Sequence, residues 1–249
     1  MDGFETFDLG PWMDLVWDGL WVTVYATVLG TLLAVVVAFA LGLLALNEHK
    51  PLRAVSRVIV EFFRGTSLVV QLFWIVYALP VLTGYRIGDN KMNAVIALGL
   101  NFGAYGAEVV RGSINAVPQP QREACIALNL STWHRFRRVI LPQALPLMIP
   151  PAGNLTIQLI KSTPLMYLVA VVDLFSVGEQ MRNSETNSIG LIYLGLGVVF
   201  FLLSMVVVGL AQLLENRARR RLGQRPVKIV DTALGDDTTA STHAPSGSL

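Results

Sequence analysis

Two sets of polar side chains recur at helical spacing inside long apolar segments of the sequence. Each set occupies positions i, i+4 and i+7: Asn101, Tyr105 and Glu108 in one segment, and Asn154, Gln158 and Lys161 in another. This spacing puts each set on one face of a helix. Polar and ionisable groups are costly inside a bilayer, so such faces are candidates for the path of a polar solute. The alternative is that they only join helices through hydrogen bonds.

A second group of informative residues lies in the polar stretch 111–142, between two apolar segments. Two prolines precede the helix-favouring residues 121–128, so we expect a short helix to begin there. Asn129 tolerates the left-handed conformation that ends many helices. Ser131 can then cap a second short helix, which should end before Pro142.

The apolar side chains of these two short helices could form one small binding surface, made of Ala124, Leu128, Trp133 and Phe136. Several arginines flank that surface. A surface of this kind can rest on anionic lipid headgroups. It can equally dock into a groove on a soluble partner protein, and the periodicity alone leaves both interpretations open.

The composition indicates that these elements belong to a membrane protein. Hydrophobic residues make up 53% of the 249 residues and charged residues only 14%, against about 25% charged in soluble domains. Five segments are apolar enough to cross a hydrocarbon core of about 30 Å, namely residues 20–46, 58–82, 92–110, 145–172 and 189–214. Glu61 and Arg64 interrupt the start of the second segment. The predicted fold is an all-α membrane protein with about five transmembrane helices.

The distribution of charge predicts the orientation of these helices. Residues 1–19 contain acidic but no basic side chains, whereas arginines cluster in residues 111–142 and after the fifth apolar segment. Basic residues favour the cytoplasmic side, so the N-terminus should lie outside and the C-terminus in the cytoplasm. We therefore expect an extracytoplasmic, interfacial segment 1–19, a transmembrane domain 20–216 with a cytoplasmic loop 111–142, and a basic, then disordered cytoplasmic tail 217–249.

The sequence offers little support for chemistry carried out by this chain itself. Cys125 is the single cysteine, which excludes an internal disulfide and a cysteine metal site. No phosphate-binding loop of the form G-x-x-x-x-G-K-[ST] occurs. We predict no catalytic residues, no metal and no cofactor bound by this chain, and no nucleic-acid partner.

Four motifs follow one another along the chain: residues 61–71, residues 101–108, the loop motif Glu123-Ala124-Cys125 with Asn129 and Phe136, and residues 161–165. Together they resemble the polar amino acid permeases of binding-protein-dependent ABC importers, such as the histidine and glutamine permeases. The loop motif resembles the EAA loop of that family, and the likeness extends over about residues 19–216. Cys125 and Asn129 stand where the family usually has alanine and glycine, which indicates a subgroup.

The resemblance implies the type I ABC importer permease fold and a division of labour between subunits. In that family the loop forms a coupling helix seated in a cleft of a separate ATPase subunit, which binds ATP and Mg²⁺. The implied ATPase-coupling residues are Glu123, Ala124, Cys125, Leu128, Asn129 and Phe136. A second permease (this chain or a paralogue), an extracytoplasmic solute-binding protein and a multi-pass location in the plasma (inner) membrane are also implied.

The implied solute is a polar amino acid, whose two charges Lys161 and Glu108 could complement. The sequences of residues 63–67 and 127–129 also resemble those of permeases for ectoine, a cyclic amino acid derivative and compatible solute. The main alternative is a standalone secondary transporter or channel. The small number of spans and the absence of inverted repeats argue against it.

Overall fold

The structure, a computed structural model, describes residues 10–84, 88–184 and 188–221. Every regular element in these ranges is helical. The α-helices are α1 Met13–Leu44, α2 Lys50–Gly65, α3 Leu68–Phe73, α4 Leu79–Thr83, α5 Asn90–Asn115, α6 Gln119–Ala127, α7 Thr132–Arg135, α8 Leu141–Ser162, α9 Leu174–Ser184 and α10 Ile189–Arg221. Residues 1–9 and 222–249, which make up much of the two predicted flanking segments, lie outside the described residues.

The helices supply five units that could cross a membrane when each bent pair is counted once. Three are continuous, Gly10–Leu44, Asn90–Asn115 and Ile189–Arg220. The two bent units are Lys50–Gly65 with Leu68–Thr83, and Thr132–Val169 with Leu174–Ser184. The all-α membrane fold is therefore confirmed, whereas the orientation of the chain ends stays a prediction. We call the end of the bundle that carries α6 the loop end.

The centre of the bundle is the contact between α1 and α5, whose backbones approach closely. A Cβ added to Gly103 would lie 2.7 Å from the Val37 side chain, and one added to Gly106 would lie 2.7 Å from the Ala38 Cβ. Only glycine fits at such distances, as is usual where transmembrane helices pack through small residues. Helix α5 is accordingly far more buried than α1 or α10.

The second apolar segment is bent by 105° between α2 and α3. The prediction of one continuous span over residues 58–82 is therefore wrong at its start. The reason is the charge on α2, which carries Arg57, Glu61 and Arg64 on one face. A helix with this face cannot run through hydrocarbon without a large desolvation cost.

Two side-chain amides close the bend. Gln71 Nε2 donates to the Phe63 carbonyl at 2.8 Å and to Thr66 Oγ1 at 2.7 Å. Asn101 Nδ2 donates to the same Phe63 carbonyl at 3.1 Å and to Gln71 Oε1 at 3.0 Å. These bonds satisfy backbone acceptors that the end of α2 leaves without helical partners. The Gln71–Asn101 pair therefore fixes the angle between α2 and the rest of the bundle.

The fourth segment begins nearer the loop than predicted. Helix α7 continues through a π-helical turn, Phe136–Ile140, directly into α8. The prediction that the second loop helix ends before Pro142 is therefore wrong. The π turn restarts the helical hydrogen-bond pattern, so that Pro142 falls in the first turn of α8, where its missing N–H costs little.

At the end opposite the loop, the chain bends again after a 3₁₀ segment, Thr163–Val169, and Ala170 adopts a left-handed conformation with φ 57°. Asp173 then starts α9, and its Oδ1 accepts from the Ser176 N–H at 2.9 Å. The Leu174 N–H donates to Thr23 Oγ1 on α1 at 3.2 Å. These contacts attach the bent unit to the beginning of the first helix.

Replacing Asn101 with alanine should lower the thermal stability of the purified chain in detergent. The change removes both of the bonds that Asn101 donates and leaves Gln71 Oε1 without its donor, while the Phe63 carbonyl keeps its bond from Gln71, a loss of about 1–2 kcal/mol. Asn154→Ala is the matched control, since Asn154 is exposed on α8 and its loss should leave the melting temperature nearly unchanged. Equal melting of N101A and the wild type would contradict the role given to the amide pair.

Candidate functional site

The loop helix α6 ends as the sequence predicts. Asn129 has φ 58°, and the Leu130 N–H donates to the Cys125 carbonyl at 3.0 Å. This pattern is a Schellman motif, in which a left-handed residue lets the last helical carbonyls find partners. The next helix, α7, starts at the predicted cap, because Ser131 Oγ accepts from the His134 N–H. Both helix ends are therefore specified locally.

The predicted coupling residues fall into two groups by exposure. Glu123, Ala124, Leu128 and Asn129 are exposed, whereas Phe136 is half-buried and Cys125 is only 4% exposed. Ile126 and Trp133 add exposed apolar surface beside them, and Ile126 was not among the residues singled out from the sequence. The helical spacing could have indicated it, since Ile126 lies three residues, or nearly one turn, after Glu123. The outer face of α6 is thus mixed polar and apolar, as expected of a docking surface.

A hydrogen bond from Arg122 ties helix α6 to the end of α5. The Arg122 guanidinium donates through Nη2 to the Ile114 carbonyl in the last turn of α5. Gln119 Nε2 donates to Glu123 Oε1 at 2.9 Å along the exposed side of the same helix. A cleft of about 560 Å³ opens beside the anchor, between α1, the end of α5 and Trp133. Movement of α6 would therefore pull directly on α5, the central helix.

The polar face predicted on α5 is committed to contacts inside the chain. Asn101 is buried at the bend, as described above. The Tyr105 hydroxyl donates to the Arg64 carbonyl at 3.4 Å, and the Arg64 guanidinium lies 5.3 Å from the Tyr105 ring centre. Glu108 forms an ion pair at 2.6 Å with Arg111, three residues further along the same helix. The side chains of this face therefore connect α5 to α2, and Glu108 pairs with a residue of α5 itself.

The polar face predicted on α8 differs, because it is exposed. Asn154, Gln158 and Lys161 all lie on the surface of the chain. Among the described residues, no side chain forms a hydrogen bond or ion pair with the Lys161 ammonium, and Glu108 is bonded to Arg111 instead. The two polar faces are thus not joined through a Glu108–Lys161 pair. The α8 face alone offers unpaired polar groups on an apolar helix.

Comparison with known proteins decides the class of this chain. Residues 26–220 match the family model described as the binding-protein-dependent transport system inner membrane component. The chain belongs to this family. The match includes every helix that carries the sites described above, from the body of α1 to the last turns of α10.

Several proteins that are named as permeases are similar in sequence. A probable amino-acid ABC transporter permease protein, y4tF of Sinorhizobium fredii, is 39% identical over 83% of this chain and 88% of its own length. The L-cystine transport system permease protein TcyB of Bacillus subtilis is 34% identical, with 84% of this chain and 92% of the relative covered. The glutamine transport system permease protein GlnP of Escherichia coli is 35% identical over 66% of this chain and 75% of its own length.

Solved structures of permeases confirm the fold. A crystal structure of an amino acid ABC transporter with histidines matches with a TM-score of 0.75 and 29% identity, over 86% of this chain and all of the matched one. The MetNI methionine ABC transporter, in an inward-facing conformation, matches with a TM-score of 0.66 at 20% identity, over 82% of this chain and 98% of the matched one. The chain therefore has the type I permease fold and is a multi-pass inner-membrane protein.

Replacing Arg122 with methionine should loosen the loop helix of this permease without unfolding it. Methionine keeps the aliphatic stem but removes the donors that reach the Ile114 carbonyl. We expect the amides of residues 121–127 to exchange hydrogen roughly tenfold faster, as measured by mass spectrometry. Arg138→Met is the control, since it removes the same charge from an exposed position at the loop end. Equal exchange in R122M and wild type would show that the anchor is unimportant.

Proposed function

We propose that this chain is the membrane-spanning permease subunit of an ABC importer for a polar amino acid or an amino-acid-like compatible solute such as ectoine. The observation that carries the proposal is the loop helix α6, which is anchored to α5 by Arg122 and presents Glu123 and Leu128 outward. The names of the relatives support an amino-acid substrate class. A separate subunit hydrolyses ATP.

The ATPase subunit binds the outer face of α6 in this proposal. Leu128 is 73% exposed and Trp133 is 62% exposed, which is unusual for large apolar side chains at the end of a helical bundle. The exposed Glu123 beside them can form a charged hydrogen bond that fixes the register of docking. Because the sequence lacks a phosphate loop, ATP and Mg²⁺ belong to the partner, and this chain binds no cofactor.

The solute passes along the exposed polar face of α8. An unpaired ammonium is too costly to leave against lipid tails, so water, solute or a second permease must cover Lys161. The second permease is a copy of this chain or a paralogue. Lys161 would bind the carboxylate that amino acids and ectoine share, with Asn154 and Gln158 supplying neutral hydrogen bonds to the rest of the solute.

The face on α5 has a supporting role in the same path. Tyr105 and Glu108 are each about one-third exposed, so they border the path while their polar groups hold α2 and Arg111. An extracytoplasmic solute-binding protein delivers the solute at the end opposite the loop. That placement agrees with the charge distribution, which predicts the loop end to be cytoplasmic.

Replacing Glu123 with lysine should separate ATP hydrolysis from uptake. Reversed charge on the docking face should lower uptake by the assembled transporter by about tenfold or more, or weaken copurification of the ATPase. The measurement is solute uptake and ATPase activity in proteoliposomes. Glu48→Lys makes the same charge change at an exposed position outside α6 and should have little effect. Normal assembly and uptake by E123K would show that α6 is not the coupling element.

Replacing Lys161 with alanine should impair transport and leave ATPase binding intact. Loss of the carboxylate partner should raise KM for uptake about tenfold, whereas Lys161→Arg should restore most of the affinity. Copurification of the ATPase serves as the assembly control, since Lys161 lies far along α8 from the loop. If K161A transports with unchanged kinetics, Lys161 has only a structural role and the solute path lies elsewhere.

A further inference from the structure

A charged cleft of about 490 Å³ opens at the loop end of the bundle, between the end of α1, the helix α2 and the last turns of α5. Its charged lining consists of Arg53, Arg57, Glu61, Arg64, Glu108 and Arg111. The lining therefore has two more positive than negative side chains. It is separate from the outer face of α6 and from the polar face of α8, neither of which contributes to it.

Two of these arginines, Arg53 and Arg57, are available for a ligand. Glu108 is already paired with Arg111, and the Arg64 guanidinium lies over the Tyr105 ring. Arg53 and Arg57 are exposed, and neither forms a salt bridge within the part of the chain that the structure describes. Arg57 and Arg64 are also close enough to interact electrostatically with Glu108, so the positive charges converge on one space.

The other face of α2 is apolar and uncovered. Leu52, Val55, Val58 and Phe62 are between 41% and 67% exposed. Ser56 lies between the two faces and fixes α2 to the bundle, because its buried hydroxyl donates to the Leu41 carbonyl at 2.7 Å. A short helix with arginines on one side and large apolar residues on the other lies in the plane of the bilayer interface. Acyl chains would then run past the apolar face.

We propose that this cleft binds the phosphate group of an anionic phospholipid, whose acyl chains pack along the apolar face of α2. Guanidinium groups bind phosphate through paired, charge-assisted hydrogen bonds, and basic pockets at helix ends suit lipid headgroups. Arg53 and Arg57 are the principal ligands, since they have no competing ion pair. The bound lipid would hold α2 at the interface, at the angle that the Gln71–Asn101 pair sets.

The test uses the purified full-length chain and native mass spectrometry, with phosphatidylglycerol, phosphatidylcholine and inorganic phosphate as separate probes. Phosphatidylglycerol should bind at least about tenfold more tightly than phosphatidylcholine. The double variant R53Q/R57Q should weaken phosphatidylglycerol binding roughly thirtyfold. R53K/R57K should keep most of the affinity. The control R217Q/R220Q, which removes two exposed arginines at the loop end of α10, should bind like the wild type.

Three results would overturn the proposal. Equal binding of the two lipids would show that the cleft does not select an anionic headgroup. An equal loss of affinity in R53Q/R57Q and R217Q/R220Q would mean that any surface arginine at this end suffices. If inorganic phosphate bound as tightly as phosphatidylglycerol, the acyl chains would contribute nothing to the affinity. Thermal melting of each variant separates a binding defect from unfolding.

Discussion

The pairing of Gln71 with Asn101 is the contact on which the rest of the structure depends. A chain that turns by 105° leaves backbone carbonyls at the turn without helical partners, and hydrocarbon cannot satisfy them. Two amide side chains from neighbouring segments supply the donors instead. Because Asn101 lies in the most buried helix, α5, the bend is anchored at the centre of the bundle. The direction of α2 follows from this anchor.

That geometry gives α5 three tasks. Through Gly99, Gly103 and Gly106 it packs against α1 and gives the bundle a rigid centre. Its middle, through Asn101 and Tyr105, holds the bend and α2. Its last turn receives Arg122 from the loop helix through the Ile114 carbonyl. One helix therefore connects the loop helix α6, the helix α2 and the core, so that a displacement at α6 would reach all three.

How much the sequence could predict depends on whether the deciding contacts are local. The cap at Asn129, the cap at Ser131 and the start of α6 each require only a few neighbouring residues, and the structure confirms them. The five apolar units follow from composition. The angle of the bend after Gly65 could not be predicted, because one of its two donors, Asn101, lies 38 residues beyond the Phe63 carbonyl that it binds. The π turn before α8 was not predicted either. A search for apolar residues at 3.6 per turn does not reveal where one extra residue is inserted into a helix.

The two polar faces show why spacing alone cannot separate structural from functional groups. Both have the same i, i+4, i+7 pattern, yet Asn101 and Glu108 find partners within the chain, and Lys161 finds none among the described residues. An ammonium held in hydrocarbon without a partner would cost several kcal/mol, which is a large part of the stability of a typical domain. A cost of this size persists only where the assembled protein compensates it. The exposed face of α8 is therefore the surface that the proposed solute path or second subunit would cover.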